Sequence, residues 1–127
     1  MEMKDSSLSG NVIGAAIEVH RIIGPGLLES ACQECLVHEL RLRGLSVECE
    51  VPICVDYQGL VLGHAYRADL LVEGRLIVEL KTVEQINPVH KAQLLTYLRL
   101  LKKPLGLLIN FNTAVLKDGA CRVVNNV

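Results

Sequence analysis

The sequence predicts an α/β protein: a central mixed β-sheet flanked by helices, in the order ααβββαβ plus a terminal hairpin. Three observations carry this. The N-terminal third holds two stretches with apolar residues at helical spacing, separated by Gly24-Pro25-Gly26. Residues 46–56 alternate apolar and polar with the period of a strand. The later apolar runs have strand length and flank one more helical stretch, as a strand–helix–strand crossover requires.

The elements follow in order. Residues 1–8 are expected to be a loose start, with Ser9 capping a helix that carries Val12, Ile13, Ala16, Ile17, Val19 and Ile23. A second helix is predicted from about Leu27 to Arg43, with Leu28, Ala31, Cys32, Cys35, Leu36 and Leu42 at helical spacing, and Gly44 ends it. A half-buried strand covers Ser46 to Asp56, with Val47, Cys49, Val51, Ile53 and Val55 on one face; Pro52 puts it at an edge or near its end. Tyr57-Gln58-Gly59 turns the chain into a second strand over Leu60 to Val72. Glu73-Gly74-Arg75 turns it again into a third, Leu76 to Thr82, apolar on both faces apart from two charges and therefore central. Asn87-Pro88 reads as an N-cap with Pro at the first helical position, opening a helix to about Leu101. Pro104 stops it, Leu105 to Phe111 is a buried strand, and Lys117-Asp118-Gly119 signals a hairpin between two short final strands. Without repeats, low-complexity segments or a linker, residues 1–127 read as one domain.

Composition narrows the function. Half the residues are apolar and the mean hydropathy is +0.35, which argues against disorder. One Phe, three Tyr and no Trp imply an aliphatic core and argue against an aromatic platform for single-stranded nucleic acid. A net charge of −1, from 13 basic and 14 acidic residues, leaves no bulk basic footprint. Nucleic acid would have to be held by local basic residues, a metal, a protein partner or a second copy of the chain. The polar Met1–Gly10 does not read as a signal peptide, no apolar run is long enough to span a membrane, and five Cys is an odd number. The expectation is a reduced, cytoplasmic protein. Cys32-x-x-Cys35 lies in a helical apolar stripe without a second pair at zinc-site spacing, so it reads as core packing.

The chemistry concentrates in the second hairpin. If its loop is Glu73-Gly74-Arg75, Val72 faces Leu76, Asp69 falls opposite Glu79 and Arg67 opposite Lys81, all on one face. A two-residue loop would shift the register and break this alignment. Carboxylates on facing residues repel by roughly 3 kcal/mol at an effective dielectric of ~20. A divalent cation relieves that, and oxygen ligands suit Mg²⁺ or Mn²⁺, with the Leu80 carbonyl as a further donor. The alternative is that Lys81 and Arg67 neutralise the acids as an ion-pair cluster. The apolar neighbours Leu70, Leu71, Val72, Leu76, Ile77, Val78 and Leu80 weaken it, since buried charges are costly. Glu29, on the flank of the second helix, could reach the sheet or simply complement the helix dipole. His90, Gln93 and Tyr97 share the stripe of Leu94, Leu98 and Leu101, where they either position substrate or form a satisfied core network. His20 could approach the site or interact with its own helix end.

Asp69 followed by Glu79-Leu80-Lys81 on the next strand, then a helix bearing Gln93, resembles the PD-(D/E)XK nuclease superfamily, and more closely its small GxxExxY family. The matching stretches are Gly14–His20, Gly24–Glu29, Tyr66–Val72, Ile77–Lys81, Pro88–Leu98 and Leu105–Phe111, spread over about residues 9–125. The resemblance implies a restriction-endonuclease-like core and metal-dependent phosphodiester hydrolysis. Asp69 and Glu79 would be the metal carboxylates, Lys81 the catalytic lysine, Gln93 the glutamine of the following helix and Glu29 the helical glutamate of the family's name motif, reaching the metal through water. That motif expects Tyr where this chain has Cys32, so a hydroxyl is lost there, and the superfamily's Pro before the Asp is Ala68 here.

The expected function is a Mg²⁺-dependent nuclease acting on DNA, with His20, Arg67, His90 and Tyr97 as possible substrate contacts and a homodimer or protein partner to help hold a duplex. One alternative is a non-catalytic nucleic-acid-binding or assembly module that retains the fold. Another is a structural ion-pair cluster in a dimerising protein.

Overall fold

The first helix, α1 (Asp5–Ile23), buries Leu8, Val12, Ala15, Ala16 and Val19, the spacing of a helix with one core face. The computed structural model describes residues 5–126. Within them α1 starts at Asp5, so the loose start expected over residues 1–8 is helical from there on; residues 1–4 lie outside the described residues. Leu8 supplies one more turn of the buried stripe, and Ser9 is buried inside the helix instead of capping it. The Ser9 hydroxyl accepts a hydrogen bond from Arg122 Nε at 2.8 Å.

Helix α2 (Glu29–Leu42) buries Cys32, Leu36, Val37 and Leu40. Gly44, at φ +81°, reverses the chain so that the Leu45 N–H returns to the Leu40 carbonyl at 3.1 Å. The strands β1 (Val47–Tyr57), β2 (Leu60–Val72), β3 (Leu76–Lys81), β4 (Leu105–Asn110) and β5 (Ala120–Val124) form one mixed sheet in the order β1-β2-β3-β4-β5. β1 is the edge that Pro52 foretells. β3 is central and buried except at Lys81. β3 and β4 run parallel, with helix α3 (Pro88–Leu101) crossing between them; the other neighbours are antiparallel.

Helix α3 begins as its sequence predicts. The Asn87 side chain accepts the N–H groups of Val89 and His90, and His90 Nδ1 accepts the Asn87 N–H. Gly106 on β4 lets the helix pack closely, since a Cβ there would lie 2.9 Å from the Leu94 side chain. Two apolar layers result. Helices α1 and α2 cover Leu70, Val72, Val78, Leu80, Leu107 and Ile109. Helix α3 covers Ile53, Ala68, Leu71, Ile77 and Leu108 through Leu94, Tyr97 and Leu98.

The expected terminal hairpin is corrected. Lys117-Asp118-Gly119 lies in a 3₁₀ turn (Leu116–Gly119), and the single strand after it, β5, pairs with β4. The long apolar strand β4 offers a free edge on that side, and β5 takes it. Cys32 and Cys35 pack in or against the α1–α2 core as expected. Cys49 and Cys54 are exposed on β1, which as an edge strand is covered only in part. Among the described residues no helix is long and apolar enough to cross a membrane.

Candidate functional site

The β2–β3 ladder keeps the register of a three-residue loop through Val72–Leu76, Leu71–Ile77 and Leu70–Val78, and then it opens. The two acids fill the gap. Glu79 Oε2 accepts the backbone N–H of Asp69 at 2.6 Å, and Asp69 Oδ2 accepts the backbone N–H of Leu80 at 2.8 Å. Each side chain thus satisfies an N–H of the facing strand that the open ladder leaves unpaired. Past this point β2 stays with β1, where Ala68 pairs with Val51 and Arg67 with Pro52.

The expected pairing of Arg67 with Lys81 therefore does not form. Lys81 faces Asn110 in the parallel β3–β4 ladder, while Arg67 Nη1 lies 3.3 Å from Glu50 Oε2 on the exposed side of β1. Among the described residues neither Lys81 nor Arg67 makes an ion pair with Asp69 or Glu79. The structure thus removes the direct ion-pair cluster that the sequence left open.

Electrostatics show what this arrangement imposes. Glu79 is 5% exposed. Burial first, and then the charge of Asp69, push its carboxyl up to about 8; the Asp69 N–H and Lys81 pull the other way. Burial also raises Asp69, opposed by the Leu80 N–H, by a hydrogen bond from Glu79 and by Lys81. The hydrogen bond between the two carboxyls raises Glu79 and lowers Asp69, which makes Glu79 the proton holder and Asp69 the acceptor. Burial and mutual repulsion thus favour a proton on the pair, with Glu79 the more readily protonated of the two.

Other groups surround the pair. Glu29, the first residue of α2, is raised by burial and by the charge of Asp69 and lowered by Lys81, so it faces the same space. The Lys81 carbonyl accepts the Phe111 N–H at 2.9 Å, so strand alternation directs the Leu80 carbonyl toward β2, where the ladder has ended. Tyr97 is buried, and its hydroxyl is raised by burial and then by Glu79, Tyr66 and Asp69. Its ring packs against Tyr66, with centroids 5.7 Å apart and planes at 45°.

Not every expected residue comes together. Gln93 is exposed, because the buried stripe of α3 is Leu94, Tyr97 and Leu98 and Gln93 lies just off it. His90 is committed to the capping box at the helix start, and His20 Nε2 donates to the Thr113 carbonyl at 2.7 Å. Three residues escaped the sequence reading. Glu50 acts on Asp69 from β1, Tyr66 meets Tyr97, and Asn110 pins the chain after β3. The Asn110 amide accepts the N–H groups of Val83 and Asn112, both at 3.1 Å, and donates to the Val83 carbonyl at 2.8 Å. A polar residue ending the otherwise apolar Leu105–Ile109 was its one visible signal.

Among the described residues no group of three or more His, Cys, Asp or Glu side chains gathers for a metal. The protein offers instead two carboxyls and a backbone carbonyl between parted strands, with a lysine two residues beyond Glu79. The fold and the site define an α/β protein whose paired acids and lysine sit where a central hairpin opens. More particularly, the chain belongs to the PD-(D/E)XK nuclease superfamily, whose family model matches residues 6–123. No curated protein and no solved structure matches the chain.

Proposed function

We propose that the protein is a divalent-metal-dependent nuclease that hydrolyses DNA phosphodiester bonds, and that within its superfamily it falls in the GxxExxY group. The observation that carries this reading is the Asp69–Glu79 pair, Glu79 buried and Asp69 half-buried, held by backbone N–H groups and without an ion-pair partner among the described residues. Two hard oxygen acids that cannot both ionise there suit a Mg²⁺ or Mn²⁺ ion, and superfamily members typically use divalent metals. Asp69, Glu79 and the Leu80 carbonyl would hold it, with Glu29 joined through water. Such an ion, when bound, polarises a phosphodiester oxygen and lowers the pKa of an attacking water.

The chain's own groups do the rest. Backbone N–H bonds fix one oxygen of each carboxyl and so orient the other toward the gap. Lys81 has no ion pair with either acid and faces the same space, where its ammonium stabilises charge building on the phosphoryl oxygens. Gln93, exposed on α3, is assigned to phosphate or water, and Arg67, exposed on β2, to a further substrate contact.

The test is cleavage of single-stranded, duplex and branched DNA in Mg²⁺ or Mn²⁺. Wild type is expected to cut; Lys81→Ala and Asp69→Ala are expected to lose cleavage while keeping their circular dichroism. Equal cleavage by purified Lys81→Ala sinks the assignment. The net charge of −1 favours a second reading, a binding or assembly module that retains the fold. Wild type that binds Mn²⁺ and DNA but never cuts would establish it.

A further inference from the structure

Four aromatic side chains, Phe111 and three tyrosines, are too few for an extended stacking platform, but two of them meet near the acid pair and could serve a single base. Tyr97 is 5% exposed and feels both Glu79 and Asp69. Tyr66 leans on it from β2, three residues before Asp69, yet remains 45% exposed. Its cross-strand partner Ile53 is fully buried under α3. The buried ring fixes the exposed one, so little rotamer freedom is left to lose on binding. The result is a half-exposed aromatic step joined to the carboxyls through Tyr97. No Lys or Arg lies between Arg43 and Arg67, so β1 and the first half of β2 add no basic track for a duplex backbone around the ring.

We propose that Tyr66 stacks a nucleobase next to the phosphodiester, and that the site therefore takes nucleic acid with an unpaired nucleotide there: a single strand, flap or mismatch. This rests on the nuclease reading for its phosphodiester, though the contact can be measured without cleavage. A base paired inside a duplex has no free face to give, whereas an unpaired one stacks at no cost in base pairing. Base–aromatic stacking of about 1–3 kcal/mol corresponds to about 5- to 150-fold in affinity.

The experiment measures fluorescence anisotropy in Ca²⁺ with a labelled single-stranded DNA, the same strand as a duplex, and the strand with one abasic nucleotide moved along it. Wild type should prefer the single strand. Tyr66→Ala should weaken single-strand binding by about 5- to 150-fold and leave duplex binding unchanged, and Tyr66→Phe should restore it, since the ring and not the hydroxyl makes the contact. A 2-aminopurine at the contacted position should lose fluorescence with wild type and with Tyr66→Phe but not with Tyr66→Ala. Should Tyr66→Ala unfold, Tyr66→Leu keeps the apolar contact with Tyr97 and replaces it. Equal binding by wild type and Tyr66→Ala, equal loss on single strand and duplex, or no DNA binding by wild type each overturns the proposal. Cleavage without Tyr66 dependence rejects the stacking alone; Tyr66-dependent binding without cleavage in Mg²⁺ or Mn²⁺ rejects the nuclease reading alone.

Discussion

Replacing Glu79 with Gln should make the metal-free protein more stable at neutral and alkaline pH while removing its metal site. The Glu79 carboxyl is pushed up to about 8 from an ordinary 4.5, so the folded state holds a proton that the unfolded chain releases. The stability linked to that proton is fully present below pH 4.5 and is lost as pH rises through 8. At 1.36 kcal/mol per pKa unit the full loss is about 5 kcal/mol. Because Asp69 shares the proton, about 3 kcal/mol is the expected loss, or roughly 10 °C in Tm for a chain of this size.

Glutamine reproduces the protonated acid at every pH. Its carbonyl oxygen can accept the Asp69 N–H and its amide can donate to the Asp69 carboxylate. The assay is thermal unfolding in chelator from pH 4.5 to 9, wild type against Glu79→Gln, followed by the same melts with Mn²⁺. Groups common to both proteins cancel in the difference. Wild type should fall across the window and recover with Mn²⁺ near pH 8; Glu79→Gln should lose less and ignore the metal. A wild-type Tm independent of pH between 5 and 8, or a variant that tracks wild type throughout, would falsify the shared-proton pair.

Two further outcomes follow from the same geometry. Mn²⁺ binding should release about one proton below pH 8, with apparent affinity falling about tenfold per pH unit as Glu79 reclaims its proton; calorimetric titration in two buffers of different ionisation enthalpy reads the proton directly, and heats independent of buffer would exclude the exchange. Asn110→Ala should cost about 2–4 kcal/mol, because it removes three hydrogen bonds from a buried side chain and strands the Val83 and Asn112 backbone groups. Urea unfolding measures it, and a loss under about 1 kcal/mol would mean that water replaces the amide.

Most of the fold was legible because its signals are local. Asn87-Pro88 opens α3, the β2 and β3 starts are where the turns put them, and Glu73-Gly74-Arg75 fixes the register at Leu70–Val78. The tail was misread because Lys117-Asp118-Gly119 states only that the chain bends; that β5 adds to β4 depends on a free edge brought there by the α3 crossover. Gln93 was misplaced because a helical stripe has flanks, and one residue's offset separates a buried Leu94 from an exposed neighbour.

The site itself shows a sharper limit. Period-two alternation correctly brought Asp69 and Glu79 together, but continuing the same rule one pair further set Arg67 against Lys81 and failed. The reason is chemical. Two carboxyls on facing residues of a buried strand need donors, and the nearest are the N–H groups of the ladder itself. By taking the Asp69 and Leu80 N–H groups, the acids part the strands, and the parting hands Arg67 to β1. It also turns the Leu80 carbonyl toward an open space and leaves Lys81 clear of a cross-strand partner on β2. The residues that break the pairing rule are therefore the ones that part the strands, and a register that fails abruptly at one buried and one half-buried acid is itself a pointer to a site.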